Sequence, residues 1–388
     1  MKKIFVYLLV LFFIPAAFSA EISSLEKALE VRDLVSQDKF VVLTAGQQDP
    51  FIVSQEVEDV AYERNKNLNE SILFFPNFLR QTSLVRKFLH SPHHFGGKHH
   101  KVKTEDKETI HYTYFNRGSD TLVVIGGGLN NQEKISSFVK IFDSYDVVIY
   151  NPRGIEYEKS TVWDPFTWRY WLSSHYIFEG MNGRKMKLGR VEEKDVFAVV
   201  DDIALKRRKK YKRTFGVALC YSAPVFAKAA VVRPGLFDKL ILDGSWVSVQ
   251  RMLEQYARTL WEKDDEYWVH QVFPTKRKWF IKSFLWFIER VSGLEFRSVK
   301  FDFYPYFEKL TTPTLFVHSV NDLVAPTSEF REIWSRVPSA EKTVILSTYE
   351  HVRNHIKRKE LYKYLAHSFF ELEHEAFLAS LTTPVVSP

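Results

Sequence analysis

From residue 101 onward the chain alternates between two hydrophobic patterns. Thr109 to Phe115 reads apolar, polar, apolar, and Thr121 to Ile125 is an unbroken apolar run of buried-strand length. Ile135, Phe138, Val139 and Phe142 then recur at helical spacing, Tyr145 to Tyr150 reads as the next strand, and Val196, Phe197, Val200, Ile203 and Ala204 mark the next helix. Further strand-like runs cover Thr214 to Leu219, Lys239 to Leu242, Thr314 to Val317 and Lys342 to Leu346, mostly with helical stretches between them. Strands that alternate with helices predict a mostly parallel sheet covered on both faces.

Two regions depart from this rhythm. Residues 245 to 309 carry helical patterns without a clear strand and are crowded with aromatics, among them Trp246, Trp261, Trp268, Trp279, Phe280, Trp286 and Phe287. An insertion there leaves the sheet at the carboxyl ends of its strands, where ligands bind in open α/β sheets, so it is expected to cap the site. A shorter aromatic segment, Trp163 to Phe178, leaves at the same edge. At least half of these rings must form the cap's own core. Residues 21 to 100 hold amphipathic stretches near Leu25 to Val35 and Leu73 to Leu89, then a His-rich segment, and carry no motif that assigns them a role.

Composition adds bounds. The 388 residues are 45% hydrophobic and 26% charged, which excludes disordered and low-complexity architectures. A formal net charge of +7 is spread along the chain, a solubility property more than a nucleic-acid signature. Lys2 and Lys3 precede an apolar stretch ending at Pro15, followed by Ala17, Ser19 and Ala20, which reads as a cleavable signal peptide and implies an exported protein. An uncleaved membrane anchor is the alternative. The single Cys220 excludes an intrachain disulfide.

Chemistry concentrates where the strand Thr214 to Leu219 runs into a helix opening at CYSAPVFAKAA. A nucleophile at such a tight turn needs small flanking residues, because neighbouring backbone passes close. With Ser222 as nucleophile the flanks are Cys220 and Pro224, and a proline ring falls where packing is tightest. With Cys220 they are Ala218 and Ser222, both small, and Pro224 falls in the helix's first turn, where proline is tolerated. The geometry favours Cys220 and leaves Ser222 open.

In this region the sequence resembles the α/β-hydrolase superfamily over roughly residues 101 to 372. VVIGGG at 123 to 128 is similar to the strand and glycine loop that supply an oxyanion donor, and YDVVIYNPRGIEYEKS at 145 to 160 to the strand and Arg-Gly turn that follow. ALCYSA stands at the elbow, HSVNDLVAP at 318 to 326 resembles the acid strand with Asp322 in its turn, and EHVRNH at 350 to 355 falls where the family keeps its histidine. The elbow departs from G-x-S-x-G, and cysteine at that position resembles dienelactone hydrolases and polyhydroxyalkanoate synthases. The resemblance implies an α/β-hydrolase fold: a mostly parallel twisted sheet flanked by helices, with a core of residues 101–244 and 310–376 and a helical cap at 245–309.

The residues agree with that order. A nucleophile needs a base, and the base an orienting acid. Asp322 follows an apolar strand. His351 lies in the loop after the Lys342 strand, with His355 as rival at the start of the next helix. The expected oxyanion donors are the backbone N–H of Tyr221 and one from the Gly127 and Gly128 loop. The histidines at 90, 93, 94, 99 and 100 lack a carboxylate or thiolate at metal spacing and read as a solvated loop, so no metal or cofactor is expected. The basic run 206–213 ends a helix that starts with Glu192 and Glu193, which complements the helix dipole; it could touch an anionic membrane but lies opposite the site. The leading expectation is an exported ester or thioester hydrolase working through an acyl-enzyme. The alternatives are an acyltransferase on the same site and a non-catalytic binding protein whose cap holds an apolar ligand.

Overall fold

A computed structural model describes residues 25–27, 29, 40–45, 51–53, 96–128, 135–155, 185–207, 210–252, 254, 277–292, 301–320, 322, 324–349 and 351–382. The candidate signal peptide, the aromatic segment Trp163 to Phe178, and Trp261 and Trp268 lie outside the described residues. Among the described residues ten strands form one sheet: β1 (Phe40–Thr44), β2 (Phe51–Val53), β3 (Lys98–Lys103), β4 (Thr109–Phe115), β5 (Thr121–Gly126), β6 (Asp146–Tyr150), β7 (Arg213–Leu219), β8 (Lys239–Asp243), β9 (Thr314–Ser319) and β10 (Lys342–Ser347). Their order is β2-β1-β10-β9-β8-β7-β5-β6-β4-β3. From β6 through β5, β7, β8 and β9 to β10 every neighbouring pair is parallel, while β4 and β3 on one flank and β1 and β2 on the other pair antiparallel.

The expected strands form, shifted at their ends by a residue or two. Each parallel strand has an apolar centre because both of its faces are covered. In β5, Leu122 and Val124 enter one core while Val123 and Ile125 enter the other. The first core takes α2 (Glu193–Arg207), α3 (Ser222–Val232), α5 (Tyr304–Phe307) and α6 (Thr327–Arg336). The second takes α1 (Phe138–Ile141), α8 (Lys359–Glu371) and α9 (His374–Thr382). α7 (Asn354–Lys357) leads into α8, and α4 (Arg277–Ser292), like α5, falls within residues 245–309, where a cap is expected.

The segment without an assigned role enters the sheet. β1 pairs with the outer edge of β10, Val41 opposite Leu346 through Thr44 opposite Thr343. Phe40, Val41, Val42 and Leu43 are buried, split between the two cores. The His-rich reading needs a correction: His99 and His100 belong to strand β3, paired with Thr113 and Tyr112 of β4, rather than to a loop. An edge strand of sequence KHHKVK has one face in water and lacks the apolar alternation that would mark it.

Candidate active site

Five loops meet at the carboxyl ends of β5, β7, β8, β9 and β10. β5 connects onward to β6 on one side and β7 lies on its other side, so the strand order reverses between β5 and β7, where an open α/β sheet leaves its crevice.

Cys220 follows β7 at φ +50°, a left-handed conformation that costs a non-glycine residue roughly 1–2 kcal/mol. The turn is held on both sides. The Cys220 N–H donates to the Asp243 carbonyl at 2.8 Å, and the Cys220 carbonyl accepts from Ala223 N–H at 3.0 Å. The side chain is half-buried at the sheet edge, and α3 starts two residues later at Ser222. Tyr221 at the N-cap offers its backbone N–H among the donors that a helix start leaves without a partner in the helix.

Ser222 faces elsewhere. It is buried, and its hydroxyl donates to the Gly127 carbonyl at 2.5 Å. The approach requires Gly126 to be a glycine, since a Cβ there would lie 2.7 Å from the Ser222 Cβ and 2.7 Å from the Phe226 ring. The β5 and β7 turns are therefore pressed together through Ser222, with buried Gly127 and Gly128 beside the elbow.

Asp322 and His351 come together although 29 residues separate them. His351 Nδ1 donates to Asp322 Oδ2 at 2.6 Å. The other oxygen, Oδ1, accepts the N–H groups of Val324 at 2.8 Å and Ala325 at 2.7 Å, an Asx-type turn that fixes the carboxylate before it meets the imidazole. Burial opposes the charge on Asp322, but His351 and these N–H donors prevail and hold it below the usual carboxylate range. Burial likewise opposes the imidazolium, yet the Cys220 sulfur and the Asp322 carboxylate outweigh it and hold His351 well above the ordinary histidine value. Gly244 makes room for this ring: a Cβ there would stand 2.7 Å from His351 Cε1.

His355 lies apart from this arrangement. It is buried, with its ring 4.0 Å from Phe138 and edge-on to Tyr362 at 6.2 Å, and burial pushes it down to about 3. It is a neutral core side chain. The basic run lies at the far end of β7, where Lys206 pairs with Asp202, Lys212 with Asp120 and Arg213 with Glu371. Among the described residues no cluster of three or more His, Cys, Asp or Glu is placed to hold a metal.

Three groups escaped the sequence reading. Asp243 ends the apolar strand KLILD, fully buried, and burial pushes its carboxyl up to about 8 despite His351 nearby. A lone acid closing a buried strand at the carboxyl edge was the signal available for it. His318, in β9, is buried and stacked on Phe330 at 4.4 Å, and burial pushes it down to about 4. Glu192 was read only as a helix-start acid, yet it is buried and accepts the Tyr221 hydroxyl at 3.0 Å. No local sequence signal connects the last pair.

No protein-family model and no curated protein matches the chain. Among solved structures it is similar to the Pyrococcus furiosus esterase Pf2001, at 15% identity over 72% of this chain and 93% of that one, with a TM-score of 0.53. A second crystal form of that esterase gives 15% identity over 72% and 95%, with a TM-score of 0.51. With the strand order and the left-handed elbow at Cys220, these likenesses establish that the chain has the α/β-hydrolase fold.

Proposed function

We propose that the protein is a hydrolase of carboxylic esters or thioesters that works through an acyl-enzyme on Cys220. The observation that carries the reading is the His351–Asp322 pair at 2.6 Å, with the Cys220 sulfur acting on the same imidazole. A thiol paired with an imidazole that a carboxylate orients is the arrangement nucleophilic acyl transfer needs. The Cys220 thiol passes its proton to His351 as the sulfur attacks the substrate carbonyl carbon, and the negative charge that develops on oxygen meets the backbone N–H of Tyr221 and one from the Gly127 and Gly128 loop. The tetrahedral adduct collapses, the bond to the leaving alcohol or thiol breaks, and His351 gives the leaving group a proton. Water, deprotonated by His351, then attacks the thioester, releasing the acid and restoring the thiol.

The substrate's acyl group is apolar in this reading, because α4 of the cap region presents Trp279 and Trp286 half-exposed. Export rests on the Lys pair, short apolar stretch and small residues at the amino terminus. Amino-terminal sequencing of protein recovered from fractionated cells tests it: a start near Ala20 or Glu21 is expected, and Met1 on a cytoplasmic product contradicts it.

Turnover of short-chain nitrophenyl esters by variants tests the chemistry. Cys220→Ala should be inactive and Ser222→Ala should keep most turnover. If the serine variant is dead and the cysteine variant active, the nucleophile is Ser222. If both are active, turnover does not pass through the elbow and the acyl-enzyme reading fails; if the parent protein itself turns over no ester, the chain is better read as a binding protein on this fold.

A further inference from the structure

A carboxylate buried beneath the elbow gathers more donors than a helix start requires. Glu192 Oε1 accepts the Lys187 N–H at 2.5 Å and the Tyr221 hydroxyl at 3.0 Å, and Oε2 accepts the Gly189 N–H at 2.8 Å and the Val191 N–H at 3.2 Å. Four donors converge on one side chain that is 1% exposed. Three come from the turn before α2, and the fourth comes from the residue after the proposed nucleophile. That turn is fastened to α3 a second time, where Lys228 donates to the Gly189 carbonyl at 2.8 Å and the Arg190 carbonyl at 2.6 Å and pairs with Glu193 at 2.8 Å.

The turn has little room to move. Gly189 stands at φ +93°, and the Phe303 ring fills the space where a Cβ would project. Phe303 meets Trp246 edge-on at 5.8 Å, and Trp246 packs against the Tyr221 ring at 5.9 Å. Tyr221 is thus gripped by a ring on one side and by a saturated carboxylate at its hydroxyl. A tyrosine held at its far end has its Cα and backbone N–H held as well. A small tilt of an oxyanion donor is costly, because such donors act only when aimed at the position the oxyanion takes.

We infer that Glu192, acting through the Tyr221 hydroxyl, is a positioning residue that aims the Tyr221 backbone N–H at the oxyanion formed during acyl transfer. The inference deepens the proposed function and rests on it. Its consequence separates two reactions of the same sulfur. Attack on an ester builds an oxyanion and needs the donor, whereas alkylation of Cys220 by iodoacetamide builds none.

The experiment measures both on the full chain carrying Tyr221→Phe, which keeps the ring against Trp246 and the backbone N–H groups on Glu192, and Glu192→Ala, which removes the acceptor. For Tyr221→Phe the expected result is a kcat on esters lower by about tenfold, with KM changed less than about twofold and the iodoacetamide rate constant within about twofold of the parent. Glu192→Ala should lower kcat at least as far, and Tyr221→Phe, which leaves the backbone donors on Glu192 paired, decides the question if Glu192→Ala does not fold. Undiminished ester turnover in Tyr221→Phe would overturn the inference, as would an equal loss in both reactions, which marks a displaced elbow. Cys220→Ala measured alongside distinguishes the failures: if it still turns over ester, the reading beneath the inference fails first.

Discussion

At the scale of single residues, two side chains that look equivalent in the sequence have different surroundings in the fold. Cys220 sits at the strained turn, and Ser222 spends its hydroxyl on the Gly127 carbonyl. Ser222→Ala should therefore cost about 1 kcal/mol of stability and little rate, which chemical unfolding beside ester turnover would show. His351→Ala and Asp322→Asn should each lower turnover roughly a thousandfold or more with unchanged circular dichroism. His355→Ala should do the reverse, keeping turnover while losing about 2 to 3 kcal/mol through its emptied place beside Phe138. If His355→Ala is the inactive variant, the base is misassigned. Asp243 gives a pH prediction. Its carboxyl is pushed up to about 8 in the folded protein against an ordinary 3.8, so between those values the folded chain holds a proton that the unfolded chain releases. Stability must then fall as pH rises through that window. Asp243→Asn should flatten this fall, read as a smaller loss in urea midpoint between pH 5 and pH 8, and an identical loss in both proteins would contradict it.

At the scale of elements, legibility followed burial on two faces. The parallel strands read clearly because each has an apolar centre, and the turns that carry Cys220, Asp322 and His351 could be located at their ends. β1 and β3 did not read. In β1, FVVLT is apolar but stands in a segment with no neighbouring helix pattern to frame it, and its pairing with β10 joins residues about three hundred positions apart. β3 is polar because it is an edge. Between Cys220 and Ser222 the sequence could supply only a preference, since the contacts that distinguish their surroundings come from β5, β9 and the loop after β10. α4 carries the substrate prediction. Trp279 and Trp286 are seven residues apart, two turns along one face, at 54% and 53% exposure. Each methylene buried against such rings is worth ~0.8 kcal/mol, so kcat/KM should rise by at most about fourfold per methylene along a series of short to medium esters. Replacing both tryptophans with alanine should flatten the series. A flat series in the parent protein would remove the case for an apolar acyl group.

At the scale of the whole molecule, the site draws on five strand ends while the sheet's outer flank depends on the amino-terminal segment. β1 buries Phe40, Val41, Val42 and Leu43 and covers the β10 edge, the strand that leads to His351. Deleting residues 40–53 removes burial worth on the order of 5 kcal/mol, comparable with the entire stability of many domains, and leaves a long apolar edge open. The deleted protein should be insoluble or melt far lower, and an unchanged melting temperature would make the segment an appendage. The catalytic reading of the whole chain stands on a covalent bond to one sulfur, and that bond can be trapped. Protein mixed with an activated ester, quenched in acid within the first turnovers and digested, should carry the acyl mass on Cys220 as a thioester that neutral hydroxylamine removes, and the Cys220→Ala protein should carry none. The acyl mass on Ser222, or full turnover with no adduct on either residue, would contradict it.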